Sequence, residues 1–316
     1  GVVLGVVRGA KLVDRPFKEV AGLVLKRAWT LYLTHIILVI SFTLIAWSVY
    51  NGNPHVKYGV MEAHSFLQLI WETVTLQYIY GWADYLRFYA IFIALSPAAF
   101  WLLRKGKWHL VLLASYLVWF LFPIDKNLNW EVIELLQPIP WQTLFFTGLV
   151  IGFHWPDISE WCSARKNVLK RYIAPPVVGL AVVLLLWNIV AVFGQEFVNA
   201  DWARQMSFDA WSLRTNEFHK EQLPLVRFLL FMLWFWSAFL IVKRFEKPII
   251  KFTGWLLIPF GTNSLYVYTL HAVIVFFVHI YFQKAGLLPN FLVTVGTIAL
   301  IYLAIRTKFL MKIIPR

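Results

Sequence analysis

Clusters of lysine and arginine alternate with long apolar runs along this chain, and that alternation fixes the solvent around each segment. The first cluster is Arg8, Lys11, Arg15, Lys18, Lys26 and Arg27, and the second is Arg104, Lys105 and Lys107. Arg165, Lys166, Lys170 and Arg171 follow, then Lys243, Arg244, Lys247 and Lys251, then Arg306, Lys308, Lys312 and Arg316. These groups hold most of the 29 basic residues, while the intervening connections hold only scattered ones such as Lys57, Lys126 and Lys284. Cytoplasmic loops of membrane proteins carry such an excess. The formal charge of +13 is therefore a mark of topology and not a footprint for nucleic acid. The chain reads as a polytopic transmembrane helix bundle, all-α.

Composition agrees. The chain is 60% hydrophobic and only 14% charged, where soluble domains approach a quarter charged. Its 17 Trp suit interfacial anchoring. A single cysteine, Cys162, excludes an internal disulfide, and no metal-ligand spacing occurs. Crossing about 30 Å of hydrocarbon takes roughly 20 apolar residues. Eight runs qualify as complete spans: 28–50, 82–104, 108–122, 139–155, 172–195, 225–243, 262–282 and 289–305. The opening GVVLGVVRG reads as the end of a ninth helix, so an N-terminally incomplete chain from a ten-helix parent is expected, with both termini cytoplasmic. Residues 1–316 read as one membrane domain.

Three connections stand out. HSFLQLIWETVTLQYIYG, at 64–81, has apolar residues at helical spacing and is expected to lie in the interface. Residues 196–224 mix Glu196, Asp201, Asp209, Glu217 and Glu221 with three bases in the largest polar excursion. KPIIKFTGWLLIPFG, at 247–261, combines Pro and Gly with apolar residues and suggests an interfacial or re-entrant piece.

Ionisable and strongly polar groups within spans are costly and mark function by default. His35 lies in LYLTHIIL; Asp84 and Arg87 share a helix face three residues apart; Trp141 and Gln142 open the span after Pro138 and Pro140. Arg227 begins LVRFLLFML, and Asn263, Ser264 and His271 occupy the penultimate span. Each also has a purely structural reading. Asp84 with Arg87 fits a helix-start salt bridge, Gln142 an interhelical hydrogen bond, and His35 or His271 a neutral imidazole bonded to a neighbouring helix. His55 and His154, near the boundaries, read as solvated.

Several blocks, taken together and in order, resemble the OpgC family of membrane acyltransferases, related to the larger type 3 acyltransferase group. They are GVVLGVVRG at 1–9, Arg27–Ala28 with Leu31–His35, YGWADYLRFYAIFIALSPAAFWLLRKG at 80–106, IPWQTLFFTGLVIG at 139–152, LPLVRFLLF at 223–231 and FGTNSLYVYTLH at 260–271. The family's opening helix with its R-x-G…H arrangement is absent from this sequence. The resemblance implies transfer of a succinyl or acetyl group from cytoplasmic acyl-CoA, a co-substrate and not a bound cofactor, to hydroxyls of a periplasmic or cell-surface glucan. It implies the inner membrane as location, membrane lipid and a polysaccharide acceptor as partners, and no nucleic acid. On this reading His35 is base or relay, Asp84 orients it or a sugar hydroxyl, and Arg227 holds the acyl group. Arg87, Trp141, Gln142, Asn263, Ser264 and His271 would line the substrate path, and Arg27, Arg104 and Lys105 would meet the donor's phosphates. A transporter or flippase for a sugar or lipid-linked substrate is the alternative, although the two corresponding halves common in transporters are not visible. A sensor or scaffold would normally append a soluble segment.

Overall fold

The computed structural model describes residues 1–49, 65–78, 80–81, 83–123, 127–197, 201–216, 222–282 and 286–311; His55, Glu217 and Glu221 lie outside them. Among the described residues the regular structure is helical throughout, without a strand. Six helices among the described residues are long and apolar enough to cross a membrane: Phe17–Val49, Asp84–Arg104, Lys166–Ala191, Leu225–Arg244, Ser264–Tyr281 and Leu288–Arg306. The expected spans 108–122 and 139–155 are also helices, Trp108–Leu121 and Pro138–Phe153, of 14 and 16 residues. At 1.5 Å per residue these measure only about 21 and 24 Å, short of a full crossing.

The 247–261 stretch, expected to be an interfacial or re-entrant piece, is helical. It carries no interruption but lies within one helix, Glu246–Thr262. Pro248 falls in the first turn, where its missing N–H has no intrahelical acceptor to satisfy, and Pro259 stands close to the C-terminal end. Pro248 therefore sits where a helix tolerates it, whereas Pro259, inside the helix, removes the bond its N–H would make to the Trp255 carbonyl. The polar excursion also contains a helix, Asp201–Asn216, whose Ser207 hydroxyl donates to the Ala191 carbonyl of the preceding span.

The chain forms two compact units interleaved in sequence, Gly1–Pro16 with Ala98–Glu246, and Phe17–Pro97 with Lys247–Arg316. In the first unit the opening residues are helical, passing through a π-turn at Gly5–Gly9. They pack on Pro138–Phe153 through glycines at spacing four on both sides, Gly1 and Gly5 against the stretch that holds Gly148 and Gly152, while Gly9 meets the Phe153 and Phe100 rings. A Cβ on Gly5 would stand 2.8 Å from the Phe153 nitrogen, and one on Gly148 would stand 3.1 Å from the Val2 nitrogen. Small residues let two helix backbones approach this closely. Gly152→Leu would drive its Cβ into the Val2 carbonyl, which is backbone and has little room to yield. We expect a loss of about 1–3 kcal/mol or more, read as a lower Tm in detergent and faster proteolysis of the first 12 residues. Below this contact Arg104 closes the turn, its guanidinium donating to the Leu12 carbonyl at 2.7 Å and the Arg15 carbonyl at 2.8 Å.

In the second unit Phe42 stacks on Phe276 at 4.5 Å between ring centroids, and Tyr80 packs against both. Tyr266, Ile301 and Ile305 form a further buried cluster, and the Tyr266 hydroxyl donates to the Phe309 carbonyl. Ser65 caps the short helix Phe66–Val74, its hydroxyl accepting from the Gln68 N–H at 3.2 Å. That helix is amphipathic as the sequence indicated: Leu67 and Trp71 are exposed while Leu69 and Thr73 are fully buried. It is tied to Phe17–Val49 by the Tyr32 hydroxyl, which donates to the Val74 carbonyl at 2.7 Å.

Candidate functional site

Three of the singled-out residues converge in the second unit. His35 is completely buried on the helix Phe17–Val49, and its Nδ1 lies 3.2 Å from the Ala83 carbonyl oxygen. A carbonyl only accepts, so Nδ1 must carry the proton. The other ring nitrogen, Nε2, then keeps its lone pair in the neutral imidazole. Nε2 is buried and has no hydrogen-bond partner among the described residues.

The next residue after Ala83 opens the helix Asp84–Arg104, and its carboxylate meets Arg87 one turn on at 3.1 Å. The two side chains are 13% and 1% exposed. Arg87 also donates to the Leu76 carbonyl at 3.3 Å, and its guanidinium carbon lies 5.2 Å from the Phe88 ring centre. Leu76 has φ +61°, a left-handed conformation that costs an ordinary residue about 1–2 kcal/mol. Arg87 thus holds together a carboxylate and a strained turn, and through Asp84 it fixes the segment that supplies the carbonyl for His35.

Sequence reading missed the neighbours of this turn. Thr73 is fully buried with its hydroxyl unpartnered among the described residues. Tyr78 is also fully buried. Burial pushes its phenol up from the ordinary tyrosine range, the Glu72 charge adds to this, and the nearby Thr43 hydroxyl opposes it. Tyr78 is therefore a neutral hydroxyl at physiological pH. The only hint in the sequence was the amphipathic pattern of 64–81, whose buried face carries them.

The remaining candidates have other settings. In the first unit the Gln142 amide oxygen accepts from the Ser115 hydroxyl at 2.6 Å, and its nitrogen donates to the Ser115 carbonyl at 2.8 Å and to Thr143 at 3.0 Å. Gln142 thereby ties Trp108–Leu121 to Pro138–Phe153. Gln142→Leu should lower stability by about 1–2 kcal/mol, measured as a Tm shift. Trp141 is half-buried, as is Arg227. The neighbour Phe228 packs on Tyr116 and Trp119, whose indole donates to the Leu223 carbonyl at 3.1 Å.

In the second unit Asn263 precedes Ser264–Tyr281 and donates back to the Pro259 carbonyl at 2.9 Å, while Ser264 and His271 are exposed. Arg27 is half-buried. Back in the first unit, Lys105 is exposed with its ammonium 3.7 Å above the Trp101 ring. His154 is not simply solvated: its Nδ1 meets Asp157 at 3.3 Å.

No curated protein and no solved structure matches the chain. The family described as OpgC protein has a model that matches residues 1–313, almost the whole sequence, and the chain belongs to the OpgC family.

Proposed function

We propose that this multi-pass membrane protein is an O-acyltransferase that moves a succinyl or acetyl group from cytoplasmic acyl-CoA to hydroxyls of a periplasmic or cell-surface glucan. Family membership supports a role in glucan modification. The observation that carries the chemistry is His35, buried, with its Nδ1–H held by the Ala83 carbonyl and its Nε2 lone pair unpartnered among the described residues. This is the state a general base needs before reaction. Nε2 takes the proton of the acceptor hydroxyl as its oxygen attacks the thioester carbonyl. The carbon–sulfur bond then breaks, and the departing CoA sulfur takes the proton back from the imidazolium as free thiol.

Asp84 and Arg87 position the imidazole by fixing Ala83. Arg227 is the cation proposed for a succinyl carboxylate, with Trp141 against a sugar face. Arg27 and Lys105 would meet the donor's phosphates. Arg104, already bonded to two carbonyls, would add a further positive charge. The reading places the protein in the inner membrane with its C-terminus cytoplasmic.

Membranes containing the protein, incubated with radiolabelled succinyl-CoA or acetyl-CoA and glucan, should yield labelled glucan. Movement of glucan or a lipid-linked sugar across the membrane without label in the glucan would overturn this reading in favour of transport.

A further inference from the structure

We propose that the first unit carries a glycerolipid site between the helices Ala174–Phe197 and Leu225–Arg244, where Asn188 and Trp187 donate hydrogen bonds to a lipid ester carbonyl. A groove of about 280 Å³ lies there, lined by Leu184, Leu185, Trp187, Asn188, Leu230 and Trp234. Asn188 is exposed on a span whose apolar window is only 6% buried. Among the described residues, neither its amide nor the two indole N–H groups has a hydrogen-bond partner. An amide facing hydrocarbon without a partner costs several kcal/mol. Whatever covers this groove must therefore offer polar atoms at one end and apolar surface along the rest.

Donor balance decides between the possible occupants. The lining offers two indole N–H groups and one NH₂ but only one strong acceptor, the Asn188 carbonyl. A second copy meeting this surface by two-fold symmetry would set the same donor excess against itself. A glycerolipid ester brings acceptors and no donors, followed by a chain that suits the leucines and the Trp234 ring. Depth agrees. Asn188 stands 17 residues beyond Arg171, the last basic residue ahead of the apolar run, or about 25 Å at helical rise. The hydrocarbon core is about 30 Å thick, so Asn188 lies in hydrocarbon within about 5 Å of the far edge, close to the ester carbonyls.

The test uses the full chain in nanodiscs containing equal amounts of a diester and a diether phosphatidylethanolamine of matched chains. The protein is then released into mild detergent and its bound lipid counted by native mass spectrometry. The diester form should be retained about tenfold over the diether, since ether oxygens are poorer acceptors. Asn188→Leu should abolish that preference, and Trp187→Phe, which keeps an aromatic ring and removes the N–H, should weaken it. Equal retention of both lipids by the unsubstituted chain would overturn the proposal. So would an unchanged preference in Asn188→Leu, or a dimer that this substitution dissolves. A variant that fails to fold would show as loss of monodisperse protein, and Trp187→Phe then decides.

Discussion

His35→Asn should lower the turnover number for acyl transfer by about 10²–10⁴-fold while leaving the protein folded. The asparagine nitrogen can still donate to the Ala83 carbonyl, now 3.2 Å from the imidazole Nδ1, so the local backbone keeps its partner. What disappears is the Nε2 lone pair, which the carboxamide does not replace at that position. A base that acts in the transition state should affect kcat far more than KM. Steady-state kinetics with acyl-CoA and glucan, alongside a melting curve, separate this from misfolding. An unchanged kcat in a folded variant removes His35 from the chemistry.

Arg87→Met should be the most destabilising single change in the second unit, by about 3–5 kcal/mol. It removes the cation 3.1 Å from Asp84 and the donor 3.3 Å from the Leu76 carbonyl, while Leu76 keeps its left-handed φ. The carboxylate side chain is only 13% exposed, so water offsets little of the loss. Arg87→Lys should recover part of it, because an ammonium restores charge but not the fork that reaches both acceptors. Thermal melts and folded yield check the order: wild type, then Lys, then Met. A Met variant as stable as wild type would mean the ion pair is not what holds this turn.

Much of the architecture was legible because its signals are periodic. The apolar runs became helices where expected, and Asp84 with Arg87 formed the i, i+3 pair that their spacing suggested. Gln142 took the interhelical reading, with Ser115 as its partner. The stretch at 247–261 shows the limit of breaker residues: its Pro and Gly do not interrupt the helix Glu246–Thr262, and composition alone does not say whether they will. The close approach of Gly1 and Gly5 to the stretch holding Gly148 and Gly152 was present in the spacing but has meaning only once two helices are known to touch.

The key feature of His35 was hidden for a stronger reason. Its partner is a backbone carbonyl 48 residues away, and every residue carries a carbonyl. Arg104 is similar, since both its acceptors are carbonyls of the 12–15 turn.

The protonation of one ring nitrogen is where the proposed chemistry rests. Solid-state NMR of ¹⁵N-histidine-labelled protein in lipid, compared with the His35→Asn variant, isolates the His35 signals. The account predicts a neutral ring with the proton on Nδ1 and a bare Nε2. A His35 ring protonated on Nε2 would contradict it, because Nε2 would then have no lone pair to receive the acceptor's proton.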